Sequence, residues 1–493
     1  MALTKATHRM LEGASVNVKD FGAVGDGVTD DTAAIQAAIT VGGNILIPAG
    51  TYLITSGITV GSNVHIKNEG TLQVTPTAST IDAFTFSAKN NSSFSGGYVI
   101  GTTSVDNGTC FVLSNSSYRI TIADVTITDF QNKGVDIQTA AYENNILRVK
   151  VVNASGTTGS GLSVWGAGVD RPDKNSMVDC VVTGSRGGIS VQGGFYNKVV
   201  RPHVESCSLW GVGLDGVITG AGDGAQYTLV DSPVVIDVPN VSYAGIYLGN
   251  GSANNTIVNA RIMDCVNGIK SSSTTPLLGT IIDGVKIDGN TDALAAGVTG
   301  ISLASAPKTL IISPNIKNLT LDGIKLFECS NSSIRGGEVS ECDIAGVYLQ
   351  SNECIIADVF THNNKYGFRV EFGGAGTEAA NASNRFYNCK ASSNVTLQFK
   401  NAITGTKIHN VVGHSTSASG SATILNTATS VVVTHGLAYT PAVGDIVVIP
   451  TSNPSSLVSW WVGNLTSTTF QITSSTAATV NVGFGWSAQD VIN

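Results

Sequence analysis

A glycine followed by apolar, any and apolar residues recurs along most of the chain. It reads GVDI at Gly134, GLSV at Gly161, GISV at Gly188, GVGL at Gly211 and GIYL at Gly245. It continues as GIKS at Gly268, GISL at Gly300, GIKL at Gly323, GVYL at Gly346 and GFRV at Gly367. The steps between these glycines are 27, 27, 23, 34, 23, 32, 23, 23 and 21 residues, so the unit is near 23 and the longer steps carry insertions. A second apolar run precedes most of the glycines: ILRVKVV, MVDCVV, VVRPHV, IVNARI, SIRGGEV and IIADVF. Asn145, Asn175, Asn197, Asn255, Asn331 and Asn352 lie ahead of these runs and are expected to stack as an amide ladder at equivalent turns. Short alternating strands at a fixed period describe a solenoid of parallel β-coils. A long β-sandwich has no reason to keep one step length.

A solenoid needs caps, because its end coils expose unpaired strand edges. Thr29-Asp30-Asp31-Thr32 precedes AAIQAAI, which predicts a short capping helix with acidic residues at its positive end. Ala34, Ile35, Ala38 and Ile39 should face the first coil. At the other end HSTSASGSA, 414–422, is small and polar and reads as a linker. From 423 to 493 the 23-residue step is lost and alternating strands predict a small antiparallel β domain for capping, trimerisation or glycan binding. Trp460, Trp461 and Trp486 belong to it, with core or trimer contacts preferred over a sugar platform.

Composition narrows the function. The formal net charge is −8 and basic runs are missing, which argues against nucleic acid or an anionic membrane as partner. No apolar run is long enough to span a bilayer, so no membrane insertion is expected. The eight cysteines are widely spread without a C-x-x-C pair, so buried reduced thiols are expected rather than a metal site.

The stretch VNVKDFGAVGDGVTDDTAAIQAAI, Val16 to Ile39, closely resembles the opening of the pectate-lyase-like right-handed β-helix superfamily, and within it bacteriophage tailspikes and polysaccharide depolymerases. With the coils, the resemblance covers roughly 16–412. It implies an all-β chain: a right-handed parallel β-helix over 16–413, preceded by an adaptor peptide, 1–15. It further implies a homotrimer, carried on a phage tail or baseplate adaptor, that binds and cleaves bacterial capsular or O-antigen polysaccharide without a cofactor. The expected location is the virion, after assembly in the host cytoplasm. Asp26, Asp30 and Asp31 of the motif are read as turn and helix-cap residues, not catalysts.

Strand alternation turns the repeat into a surface map. The outward pairs are Asp136/Gln138, Ser163/Trp165, Ser190/Gln192, Gly213/Asp215 and Tyr247/Gly249, then Lys270/Ser272, Ser302/Ala304, Lys325/Phe327, Tyr348/Gln350 and Arg369/Glu371. Rings, amides and acids in one strip suit a sugar track. Insertions 166–174 and 217–233 bracket the coil at Gly188 and bring Asp170, Arg171, Asp173, Asp223 and Tyr227. Glycoside hydrolysis needs two carboxyls at a fixed separation. Asp215 with Asp170, Asp173 or Asp223 is the first choice, and Glu205 beside His203 the second. Trp165, Gln192, Arg171, Tyr227 and Tyr247 are the expected substrate contacts. A lyase acting on a uronic-acid polymer is the alternative, for which Arg171, Lys174 and Tyr227 supply the residue types; a non-catalytic glycan-binding fibre is the third reading.

Overall fold

Successive coils of the chain each lay one short strand on each of three long parallel sheets. The computed structural model describes residues 15–489, apart from 77–80, 103–107, 155, 157–158, 167–169, 216–223, 272–276, 290–296, 372–382, 402–405, 410, 412–416, 438–440 and 455–456. Among the described residues the first, second and third sheets hold 16, 15 and 14 strands. Strand order within each sheet follows the chain, every third strand being a neighbour. This is the solenoid of parallel coils that the repeat predicts and the right-handed β-helix that the resemblance implies.

The inner face is aliphatic because alternate residues of each strand point into the coil. Ile189, Val191, Val199 and Val204, all from the coils around Gly188, are fully buried. Near the first coils Phe84, Phe94 and Phe111 fill the interior, with ring centroids 4.8–5.3 Å apart. The repeating glycine exists for want of space. A Cβ on Gly188 would stand 2.2 Å from the Gly211 carbonyl oxygen and 2.4 Å from Val204, and one on Gly323 would stand 2.1 Å from Val339. Here the chain turns from the second sheet into the third, and the next coil's backbone packs directly on it.

The corner between the first and second sheets is a single left-handed residue. Asp124, Arg148, Asp179 and Arg201 have φ of 56°, 50°, 54° and 48°. Left-handed backbone costs an L-residue roughly 1–2 kcal/mol, and here cross-coil pairing offsets part of it. The Arg148 fork donates to Asp124 at 2.6 and 2.8 Å, and the Arg201 fork to Asp179 at 2.7 and 2.9 Å. These hydrogen bonds hold the Asp124 and Asp179 carboxyls below the usual carboxylate range.

The amide ladder forms at Asn175, Asn197 and Asn255 but not at Asn145, Asn331 or Asn352; ahead of the strand that follows Asn352 stands Cys354, whose amide donates to Asn384 Oδ1. Asn197 Oδ1 accepts from the Asn175 amide and side chain, Asn175 Oδ1 from those of Asn144, and Asn255 Oδ1 from the Thr228 amide. Asn144, not Asn145, is the rung, because Asn145 opens the following strand. Asn331 is the left-handed turn residue and Ser332 takes the rung in its coil, accepting from the Thr309 amide. The ladder needs a buried acceptor one residue ahead of the strand, a distinction that adjacent Asn-Asn or Asn-Ser pairs conceal.

The N-terminal cap has the expected form. The helix α1, Thr32–Val41, buries Ile35, Ala38 and Ile39, while Ala34 is only partly buried against the core. Asp31 accepts from the amides of Val24 and Gly25, Asp26 from those of Val28 and Thr29, and Asp30 from Thr32 and Thr55. The three acids therefore shape the loop and cap, which is the non-catalytic role expected of them.

The far end departs from expectation. Of the supposed linker 414–422, residues from 417 onward belong to a strand, Ser417–Ile424, paired antiparallel with Val482–Gln489. Its small side chains are needed there: a Cβ on Gly420 would meet the Trp486 ring at 3.0 Å. Two three-stranded antiparallel sheets make up this region, around a separate core of Ile424, Phe470, Ile472, Val482 and Phe484. Trp486 packs edge-on against Phe470 and Trp460 against Phe484, leaving Trp461 half exposed; the three tryptophans form no single platform. All eight cysteines are free and buried, and burial pushes the thiols of Cys207 and Cys265 up to about 12. No described helix is long and apolar enough to cross a membrane.

Candidate functional site: a groove on the third sheet

The outward strip occurs in the register that the repeat predicts. Asp136, Ser163, Ser190, Gly213, Tyr247, Lys270, Ser302, Lys325, Tyr348 and Arg369 are successive partners in one central column. Gln138, Trp165, Gln192 and Asp215 are partners in the next column, nearer the strand ends. Over Asp136, Ser163 and Ser190 the central side chains are small, and a groove of about 470 Å³ opens. Lys133, Arg186 and Trp210 line one side and Gln138, Trp165 and Gln192 the other.

The floor holds a carboxylate. Asp136 is 3% exposed. Its Oδ2 accepts from Lys133 Nζ at 2.8 Å and from Gln138 Nε2 at 2.6 Å. Its Oδ1 is shielded and has no partner. A buried acceptor left unpaired costs roughly 1–3 kcal/mol. Trp210 Nε1, farther along the groove, is likewise shielded and unpaired. The Trp210 ring lies across Gly187 and Gly213, where added Cβ atoms would come within 2.9 and 3.1 Å of it. Tyr243 stands 5.1 Å from Trp210 and Tyr247 4.9 Å from Tyr243, so an aromatic wall leads to Tyr247, which fills the central column and ends the open trough.

The predicted residues divide. Trp165, 38% exposed, and Gln192 line the groove. Asp215 partners Gln192 in register, and its carboxylate lies over Gly249, where a Cβ would sit 2.0 Å from Oδ1. Tyr247 is buried at the groove's end. Arg171 lies on the outer turn with its guanidinium 5.0 Å over Phe195, and Tyr227 stacks on Tyr196 at 5.2 Å on the same side. Asp173 is committed elsewhere: its Oδ1 accepts from the Phe195 amide at 2.7 Å, fastening one coil turn to the next. Asp170 is exposed, and its backbone carbonyl accepts from the Ala140 amide. Glu205 lies on the second sheet, 3.4 Å from His203, and belongs to a different face. Asp223 lies outside the described residues.

Sequence reasoning counted Asp136 as an outward residue but not as a candidate. The signal was available: an acid followed in its column by Ser163, Ser190 and Gly213, three residues after a lysine. Asp82 was missed as well. It accepts from the Thr109 amide at 2.9 Å, one coil before the Lys133 coil.

Two family signatures match. One, described as right handed beta helix region, covers residues 236–384. The other, described as rhamnogalacturonase A/epimerase, pectate lyase-like, covers residues 15–270, just over half of the chain. The chain belongs to the rhamnogalacturonase A/epimerase, pectate lyase-like family. This pectate lyase-like chain is 53% identical over 66 residues to mannuronan C5-epimerase AlgE2 of Azotobacter vinelandii, a match covering 11% of the chain and 7% of that relative. It is 42% identical over 60 residues to the preneck appendage protein of Bacillus phage PZA, covering 12% and 7%. The chain thus spans only a small part of the curated relatives it matches. Among solved structures, a mutant tailspike protein of E. coli bacteriophage HK620 in complex with a hexasaccharide superposes with a TM-score of 0.56 at 12% identity. That match covers 99% of this chain and 97% of the tailspike. The N-terminal fragment of bacteriophage Phi29 gene product 12 gives 0.56 at 17% identity, covering 80% and 71%. At these identities the two structures show a shared fold.

Proposed function

We propose that the chain is a phage tailspike depolymerase that binds bacterial capsule or O-antigen polysaccharide in the groove of the third sheet and cleaves it by hydrolysis. One observation carries the reading: a buried carboxylate, Asp136, with an unspent acceptor oxygen at the floor of an open trough walled by Trp165 and Trp210. Aromatic walls take the apolar faces of sugar rings, while the carboxylate and amides take hydroxyls. Asp136 would act as the base that activates water, held in place by Lys133 and Gln138. The second carboxyl would be Asp82. It stands two coils away, about 9.6 Å along the rod, just above the roughly 6.5–9.5 Å that an inverting pair uses, and lies level with Lys133, three residues along the strand from Asp136. Asp215 stands three coils from Asp136, about 14 Å, which is beyond direct pairing with it. Assembly as a homotrimer on a tail or baseplate adaptor, and location on the virion, belong to the same proposal. The phage and tailspike names among the similar proteins support it.

The relatives named as mannuronan epimerases, with one named alginate lyase 7, favour a second reading, elimination on a uronic-acid polymer. Lys133 and Arg186, both in the groove, would then face the substrate carboxylate. The host polysaccharide decides. New reducing ends without absorbance near 235 nm mean hydrolysis; that absorbance means elimination; binding without fragments means a fibre that only grips. Asp136→Asn is expected to lower the cleavage rate by about a thousandfold, within the usual 10²–10⁴-fold range for an acid or base, with binding retained. Full turnover in Asp136→Asn together with loss in Asp215→Asn would move the chemistry to the groove's other end.

A further inference from the structure

Farther along the rod the same central column carries Lys325, Tyr348 and Arg369 in three successive coils. The Tyr348 ring lies between two cations. The Arg369 guanidinium is 4.4 Å from the ring centroid on one side, and Lys325 Nζ is 5.5 Å from it on the other. The ring is only 8% exposed, so it serves as a support for the cations, not as a platform of its own. The acceptors nearby are already engaged. Glu371 Oε2 accepts from Arg369 Nη2 at 2.5 Å and from the Tyr348 hydroxyl at 3.4 Å. Asp322 is buried at the start of this strip, accepts from the Ala345 amide, and is raised above the usual carboxylate range by burial. Donors remain in excess. Arg369 Nε is shielded and has no acceptor, and Lys325 Nζ points along the ring with the nearest acid, Asp322, held on the backbone of the next coil.

Glu371 completes Arg369 alone, and no described ion pair completes Lys325, which leaves the cluster one anion short. Their column is the one that lines the groove, eight coils farther on, or about 38 Å at the strand spacing. We infer that Lys325, Tyr348 and Arg369 form a second saccharide-binding site, selective for a sugar unit bearing a carboxylate, which accepts from Arg369 and Lys325 across the tyrosine edge. The saccharide class rests on the reading of this strip as a glycan track; the requirement for a carboxylate rests on the cations alone.

The test separates the two. A short oligouronate from alginate and its carboxyl-reduced neutral counterpart are titrated into the full chain and its Arg369→Gln and Lys325→Gln variants, with calorimetry as readout. The acidic probe should bind the parent and lose at least tenfold in affinity in both cation variants. The neutral probe should show no loss in them. Lys325→Gln, at a half-buried position outside any described ion pair, keeps the test valid should Arg369→Gln fail to fold. Undiminished binding of the acidic probe by Lys325→Gln, or no binding of it by the parent, overturns the site and leaves cleavage in the groove untouched.

Discussion

Two stretches of one strip share a backbone and differ in side-chain volume. From Asp136 to Gly213 the central column is small, and the strip is a trough. From Lys325 to Arg369 it is large, and the side chains stack on one another into a ridge. The strand pairing is the same in both, so neither the opening nor the filling comes from the coil path. A parallel β-helix separates the two jobs: inward residues and corner glycines set the rod, while one outward column sets the relief of its surface.

Filling the trough should break the comparison most sharply. Ser163→Tyr places in the middle of the groove a side chain that the same column accepts at Tyr348. Cleavage of polysaccharide should fall about a hundredfold, or roughly 2.7 kcal/mol, with the far-UV dichroism spectrum unchanged. An active variant would mean that substrate does not lie in the trough. A smaller effect should be common to both stretches. Gly188→Ala and Gly323→Ala each force a Cβ into contact with the next coil, and overpacking of this kind costs about 1–3 kcal/mol. Equal losses in denaturant midpoint would confirm that trough and ridge share one scaffold; unequal losses would show that the relief feeds back on the coil.

Trp165→Ala, by contrast, touches only the wall. Loss of an exposed ring worth about 0.5–1.5 kcal/mol beyond its area should weaken glycan binding by about tenfold and leave the melting temperature unchanged. The smallest effect is one of pH. Burial raises the Asp322 carboxyl, so its contribution to stability is present below the ordinary aspartate value and lost as pH rises through the raised one. Asp322→Asn, whose amide oxygen can still accept from Ala345, should gain on the parent in melting temperature between pH 4 and 7. The Asp124 and Asp179 carboxyls run the opposite way. Lowered by their arginines, they contribute above the ordinary value and lose that contribution as pH falls through the lowered one. A parent and Asp322→Asn with parallel pH profiles would mean that this carboxyl is not desolvated by the fold.

The repeat made the coil legible because each feature of it has a local cause. Gly–apolar–x–apolar marks the corner and the strand after it, and the register of the outward column followed without error from Asp136 to Arg369. The capping motif was legible for the same reason: its acids bond to amides only a few residues away. The chemistry was less so. Asp173 is an acid in an inserted loop, which looks like a site, yet the amide of Phe195 in the next coil claims it. Asp136 looks ordinary in the chain, and only its burial with Lys133 and Gln138 on one oxygen makes a carboxylate with an unused one.

By itself, then, the order of residues determined the winding, the buried thiols and the line along which outward side chains meet, since these depend on period and on neighbours close in sequence. Tertiary structure alone decided which of those side chains stand over open space, which acids are tied to a backbone amide and which stay unpaired, and that 417–422 pair as a strand. Several of those outcomes depend on groups from other coils or strands, as with Asp173 and the Phe195 amide 22 residues on, or Ser417 and Gln489, and no local pattern records whether such a group arrives with a free donor or a spent one.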